Sequence, residues 1–298
     1  QIAAGEVIER PAFIIKELIE NAIDAKATEI NIIVKDGGKK DIIISDNGIG
    51  MTADQLKLSI NRHATSKLPQ NNLNDINFLG FRGEALPSIA SISELKIESC
   101  KKDLNEGWCI ELKKNQINKF QPSPIKIGTK IIVKNVFQNV PARLKFLKSN
   151  QVENKYSLQI IKKIALGHPG IKFSYKFEEN LRHVYKKENL NREGFKQRIL
   201  EVFQDDFFSN SLLVENKIKS DLGVINLRGF ISIPSYNKVN QSYQFLFVND
   251  RPIQDRGLST IIRLAYRDTL PRGRHPLYCL MLDVSNEQVD VNVHPTKL

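Results

Sequence analysis

The chain has 298 residues, 41% hydrophobic and 26% charged, a length and balance that suit one large or two ordinary globular domains. It contains no apolar run of about 18 residues and no signal peptide, and its three cysteines, Cys100, Cys109 and Cys279, include no CxxC pair. These features exclude a membrane-spanning helix, a disulfide framework and a cysteine zinc site. The net charge of +11 favours polyanionic partners, DNA or RNA foremost, although abundant Lys, Ile and Asn are also what an A+T-rich genome encodes. A start at Gln1 and an abrupt end in VNVHPTKL lead us to expect a fragment of a longer, cytoplasmic protein.

In chain order, Ile14, Ile15, Leu18, Ile19, Ala22 and Ile23 recur at helical spacing, predicting an amphipathic helix over 12–25 with Pro11 at its first turn. EINIIVK (29–35) and DIIIS (41–45) predict a hairpin turning at Gly37-Gly38. A Gly-rich loop (46–50) and a helix over about 52–62 follow. Residues 66–80 are polar and turn-rich and predict a mobile loop or lid. Gly83 to Ile92 predicts another helix. Strands dominate to about 136, among them ELKIES, WCIELKK and GTKIIVKNV; 151–166 predicts a helix and 171–186 strand-like runs. The polar stretch 187–194 (KENLNREG) is the expected domain boundary. Beyond it come a helix near 194–203, strands through 212–233, the strand YQFLFVN (243–249), a helix over 255–269 and the strand LYCLMLDV (277–284). Both halves are α+β in character.

Five short constellations carry chemistry. In KELIENAIDA, Glu17, Asn21 and Asp24 share one helix face, with Glu20 beside it. A polar stripe is usually the solvated side of a helix, yet a carboxylate one turn from a carboxamide also suits orienting a water and holding a hydrated cation. In SDNGIGM, Asp46 leaves a strand and is suited to accept from an exocyclic amine, while Gly48 and Gly50 permit close approach of a flat ligand; DNG alone is a common turn. GFRGEALPSIASIS (80–93) sets Gly80, Arg82 and Gly83 before a helix, an anion cradle that matches neither a Walker loop nor GxGxxG. HATSK (63–67) offers small hydroxyls and a lysine; His63 itself reads as structural. Gly128-Thr129 opens a strand.

Together, in this order, the five resemble the Bergerat-type ATP site of the GHKL superfamily, which includes gyrase B, Hsp90, histidine kinases and MutL. IAAGEVIERP, KELIENAIDA, ISDNGIGM, RHATSK, GFRGEALPSIASIS, PARLKFL (141–147) and VDVNVHPTK (289–297) look specifically like the MutL family of DNA mismatch repair proteins, bacterial type. The resemblance implies a Bergerat-fold ATPase domain over 1–190 and a smaller, gyrase-transducer-like α+β domain over 191–298. It implies slow hydrolysis of ATP with Mg²⁺, with the nucleotide driving closure and dimerisation of the intact protein.

Residue roles follow from the same resemblance. Glu17 is expected to be the general base, Asn21 the Mg²⁺ ligand and Asp46 the acceptor of the adenine amine. Gly50 would shape that pocket and Thr129 support it through a water. Gly80, Arg82 and Gly83 would grip the triphosphate, Thr65, Ser66 and Lys67 would lie near it, and Lys297 would reach the γ-phosphate from the second domain. Such a contact favours ATP over ADP, as a nucleotide switch requires. Lys26, Val140 and Asp250 replace the Gly of DAGA, the Thr of NTPAR and the Gly of VNGR that are common in the family.

The expected partners are DNA bound without sequence preference, a MutS-type mismatch-recognition protein, and a downstream nicking endonuclease or helicase, in a nucleoid-associated setting. Residues 1–190 carry 30 basic and 21 acidic residues, net +9, and residues 191–298 carry 14 and 12, net +2. Six arginines nevertheless fall within 251–274, and Arg256, Arg263 and Arg267 are expected on one helix face. With Arg251 and Lys145 they are the candidate phosphate contacts; a merely solvated helix is the alternative. Two rival readings stay open, another GHKL enzyme of the Hsp90 or topoisomerase kind, and a nonenzymatic DNA-binding adaptor. GFRGEAL and VNVHPTK speak against the first, intact Glu17 and Asn21 against the second.

Overall fold

The computed structural model describes residues 8–61, 84–104, 106–177, 180–204, 206–220 and 223–285. The expected lid over 66–80, and with it His63, Thr65, Ser66, Lys67, Gly80, Arg82, Gly83 and Lys297, lie outside these residues. The chain divides into two compact units, Gln1–Ile161 with Gly170–Lys187 and Lys162–Pro169 with Glu188–Leu298. Among the described residues no helix is long and apolar enough to cross a membrane.

The first unit runs α1 (Pro11–Asp24), β1 (Glu29–Lys35), β2 (Asp41–Asp46), α2 (Ala53–Ser59), α3 (Ala85–Ile92), β3 (Glu94–Cys100), β4 (Gly107–Lys113), β5 (Gln116–Ser123), β6 (Gly128–Lys134), α4 (Pro141–Phe146), α5 (Asn150–Gly167), β7 (Lys172–Phe177) and β8 (Asn180–Tyr185). Its eight strands order as β5-β4-β3-β6-β2-β1-β7-β8. All neighbours are antiparallel except β1 and β7, which pair in parallel. Strict alternation builds one buried face: Ile30, Ile32 and Val34 on β1, Ile42 and Ile44 on β2, Leu95 and Ile97 on β3, Ile131 and Val133 on β6. Helix α1 contacts β2 and α3 and buries Ala12, Ile15, Leu18, Ile19 and Ala22. Full burial of each large aliphatic contributes about 1.5–3 kcal/mol, so the apolar stripe, not the polar one, fixes the helix in place.

The second unit runs α6 (Arg192–Phe203), α7 (Asp206–Ser209), β9 (Ser211–Ser220), β10 (Gly223–Ser232), β11 (Asn237–Lys238), β12 (Gln244–Val248), β13 (Arg251–Ile253), α8 (Arg256–Ala265), β14 (His275–Pro276) and β15 (Tyr278–Asp283). Its main sheet orders as β13-β12-β15-β10-β9, and β11 pairs with β14. Leu246, Tyr278 and Leu280 form a core cluster against which Leu258 and Ile262 of α8 pack. The last turns of α5 belong to this unit because Arg198, fully buried on α6, donates to the carbonyls of Ala165, His168 and Pro169. A cation at a helix C-terminus satisfies carbonyls that lack intrahelical partners.

The mixed α+β class expected from the sequence is the one observed. Two differences touch candidate site residues. The helix expected over 255–269 ends at Ala265, because Tyr266 is buried and its hydroxyl donates to the Ser232 carbonyl. Arg267 therefore lies beyond the helix, ion-paired to neighbouring Asp268, and does not share a helix face with Arg256 and Arg263. PARLKFL contains a short helix, α4, with no buried residue, which helical periodicity could not reveal.

Candidate nucleotide site

At one end of the first sheet, strand register lines up Asp46 of β2, Thr129 of β6 and Ser99 of β3. Asp46 pairs with Thr129, and Thr129 with Ser99. All three occupy the phase of the alternation that elsewhere carries the buried aliphatics, so a polar row replaces the apolar one there. The hydroxyls of Ser99 and Thr129 lie 2.9 Å apart. Ser99 also lies 3.1 Å from the Gly128 carbonyl and accepts the Met51 N–H at 2.9 Å. Burial pushes the Asp46 carboxyl up from 3.8 to about 6, against the opposing pull of the Gly48 and Thr129 N–H groups; the Gly48 bond is 2.8 Å.

The loop after Asp46 is fastened on both sides. The Asn47 carboxamide oxygen accepts the N–H groups of Thr28 and Glu29 at 2.8 and 2.9 Å, and its amide donates to the Thr28 hydroxyl at 2.9 Å. Ile49 N–H donates to the Ala25 carbonyl at the end of α1, and the Ile49 carbonyl accepts from Lys102 N–H. Two glycines are obligatory. Gly50 has φ +65° and a Cβ there would stand 1.9 Å from the Cys100 carbonyl oxygen; Gly128 has φ +120° and its Cβ would stand 2.1 Å from that of Asp46.

Glu17, Asn21 and Asp24 lie half-buried on α1, and Asn21 is one turn and Glu17 two turns before Ala25, whose carbonyl holds the glycine loop. Lys16 Nζ sits 3.4 Å from both Glu17 and Glu20. Burial drives the Glu20 carboxyl to about 7, against the pull of Lys16 and reinforced by Glu17 and Asp24. The candidate phosphate contacts are placed separately. In the second unit, Arg251 is half-buried on β13, and Arg256 and Arg263 are exposed on α8; Lys145 is exposed on α4 of the first unit.

The sequence reading missed Ser99 and Asn47. Ser99 carried a signal, a hydroxyl at a buried-phase position of the alternating strand ELKIESC. Asn47 carried only the turn signal of DNG.

Residues 9–143 match the family described as histidine kinase-, DNA gyrase B- and HSP90-like ATPase, and residues 199–298 the family described as DNA mismatch repair protein, C-terminal domain. The whole chain is 44% identical to the DNA mismatch repair protein MutL of Rickettsia bellii and 45% identical to that of Rickettsia canadensis. It spans about half the length of these relatives, 48% of each. Among solved structures, the Aquifex aeolicus MutL ATPase domain complexed with ADP superposes with a TM-score of 0.70 at 29% identity, over 94% of this chain and 93% of that one. The N-terminal domain of a DNA repair protein superposes with a TM-score of 0.81 at 27% identity, over 98% and 89%.

Proposed function

The chain belongs to the MutL family of DNA mismatch repair proteins and carries its GHKL-type ATPase domain, and from that premise we propose that it binds ATP with Mg²⁺ and hydrolyses it slowly at the site just described. The observation that carries the reading is the polar row Asp46–Thr129–Ser99 beside a glycine loop anchored to the end of α1. The ADP held by the Aquifex aeolicus relative supports it. A half-buried carboxylate at a sheet end accepts the adenine amine, and Gly50, having no side chain, keeps the adjoining wall flat. Thr129 supports the base through a water.

Glu17 takes the proton from the water that attacks the γ-phosphorus; the new O–P bond forms as the bond to the β,γ-bridging oxygen breaks, giving ADP and phosphate. Lys16, shared between Glu17 and Glu20, offsets part of the repulsion between the two carboxylates. Asn21 would hold the Mg²⁺. The oxygen donors on this face suit a hard cation, and Mg²⁺ commonly takes one or two protein ligands, completing its shell with water and phosphate. When bound, the ion neutralises charge on the phosphate oxygens. Gly80, Arg82 and Gly83, with Thr65, Ser66 and Lys67, complete the phosphate grip, and Lys297 senses the γ-phosphate.

In the intact protein, nucleotide state would govern homodimerisation and coordination of a MutS-type partner and a nicking endonuclease or helicase. Arg251, Arg256, Arg263, Arg267 and Lys145 would contact DNA phosphates without reading sequence. The test is Glu17→Ala. ATP affinity is expected to stay within about threefold of wild type while phosphate release falls by about 10²–10⁴, the usual contribution of a general base. Undiminished release from that variant would remove Glu17 from the chemistry.

A further inference from the structure

Ser99 is fully buried and Thr129 nearly so, 8% exposed. A serine hydroxyl has one hydrogen and two lone pairs. One lone pair receives the Met51 N–H. The hydrogen has two acceptors within reach, the Gly128 carbonyl at 3.1 Å and the Thr129 hydroxyl at 2.9 Å. The choice determines what Thr129 can do. If Ser99 donates to Gly128, Thr129 spends its own hydrogen on Ser99 and offers only lone pairs elsewhere. If Ser99 donates to Thr129, the Thr129 hydrogen is released for an acceptor in the pocket.

We infer that Ser99 is a positioning residue for base recognition: by donating to Thr129 it frees the Thr129 hydroxyl to donate toward the bound adenine, directly or through a water. The inference rests on the adenine reading of Asp46 given above. Adenine presents a ring-nitrogen acceptor beside its exocyclic amine, so a pocket that reads it needs an acceptor and a donor side by side. Asp46 supplies the first; Thr129, its neighbour across the strands, supplies the second. Ser99 touches neither substrate nor reacting atoms. It also ties Met51, next to the obligatory Gly50, to the same hydroxyl pair, so loop and donor are set together.

The experiment measures affinity for ATP and for 1-deaza-ATP, which keeps the exocyclic amine and has a C–H in place of the ring nitrogen beside it. Wild type, Ser99→Ala, Ser99→Thr and Asp46→Asn are compared, each first shown to unfold cooperatively. Ser99→Ala is expected to weaken ATP binding about tenfold, the size of one net hydrogen bond. Turnover at saturation should stay within about twofold, because the chemistry lies elsewhere. The loss should be much smaller with 1-deaza-ATP, which holds its amine against Asp46 but has no ring-nitrogen acceptor for the Thr129 donor. Ser99→Thr, which restores a hydroxyl, should recover ATP affinity. An equal loss for both nucleotides, no loss for either, or a failure of Ser99→Thr to recover a selective loss would overturn the assignment. Unchanged ATP affinity in Asp46→Asn would instead refute the adenine reading itself, whatever Ser99→Ala does.

Discussion

As the proposed acceptor of the adenine amine, Asp46 would set binding against stability within one side chain. Its folded carboxyl titrates near 6, above the ordinary 3.8, because burial penalises the charge. Between about pH 4 and 6 the folded protein therefore holds more protons than the unfolded chain, and its stability falls as pH rises. The contribution is fully present below about pH 4 and lost once pH has passed through about 6. Asp46→Asn removes that loss, so at pH 8 the variant is expected to be more stable by about 1–2 kcal/mol, with the gap closing at pH 4. Thermal unfolding at both pH values checks it, and a variant less stable than wild type at pH 8 would refute it. The same change should weaken ATP binding at least about tenfold, because an amide is a poorer partner for the adenine amine than a carboxylate. Asp46 was legible in the sequence as a carboxylate leaving a strand. Its company was not, since Ser99 and Thr129 become its neighbours only through pairing of β2 with β6 and of β6 with β3.

Substitutions away from the family's usual residues act on turns and caps. The N–H groups of Lys26 and Ala27 donate to the Ile23 and Ala22 carbonyls, closing α1 in a Schellman motif with Lys26 at φ +60°. Lys26 thus stands in a left-handed conformation that glycine adopts without strain. Lys26→Gly is expected to raise stability by about 0.5–1 kcal/mol, read as a higher denaturant midpoint with unchanged slope; a lower midpoint would sink the prediction. Asp250 behaves alike. Asn249 and Asp250, at φ +47° and +62°, form the two-residue turn between β12 and β13, where Asn-Gly is preferred. Val140 begins α4 without a side-chain cap, as a β-branched hydrocarbon must. Helix α8 shows where periodicity misleads. Its spacing continues past Ala265, but the anchoring of Tyr266 to Ser232 ends it, and that bond joins residues remote in the chain.

For the chain as a whole, charge and chemistry are unevenly shared. Net charge is +9 over the first 190 residues and +2 over the rest, yet the exposed arginines of α8 lie in the weakly charged part. Binding through phosphates depends on local cation density more than on the total, because each contact releases condensed counterions. Arg256→Glu is expected to weaken DNA binding several-fold at low salt, lower the salt dependence by about one unit of log–log slope, and leave ATP affinity unchanged. Equal DNA affinity in the two proteins would remove α8 from the interface. The amino-acid sequence alone established the α+β class, most of the helices and strands, the family and the residue types of an ATP site. Periodicity is a local property, and motif spacing is preserved along a chain. The cross-strand row that gives Asp46 its neighbours, the burial of Ser99 and Arg198, and the end of α8 were settled by tertiary structure alone. Each of these depends on register or packing between segments far apart in sequence, where the identity of a residue says nothing of what it will face.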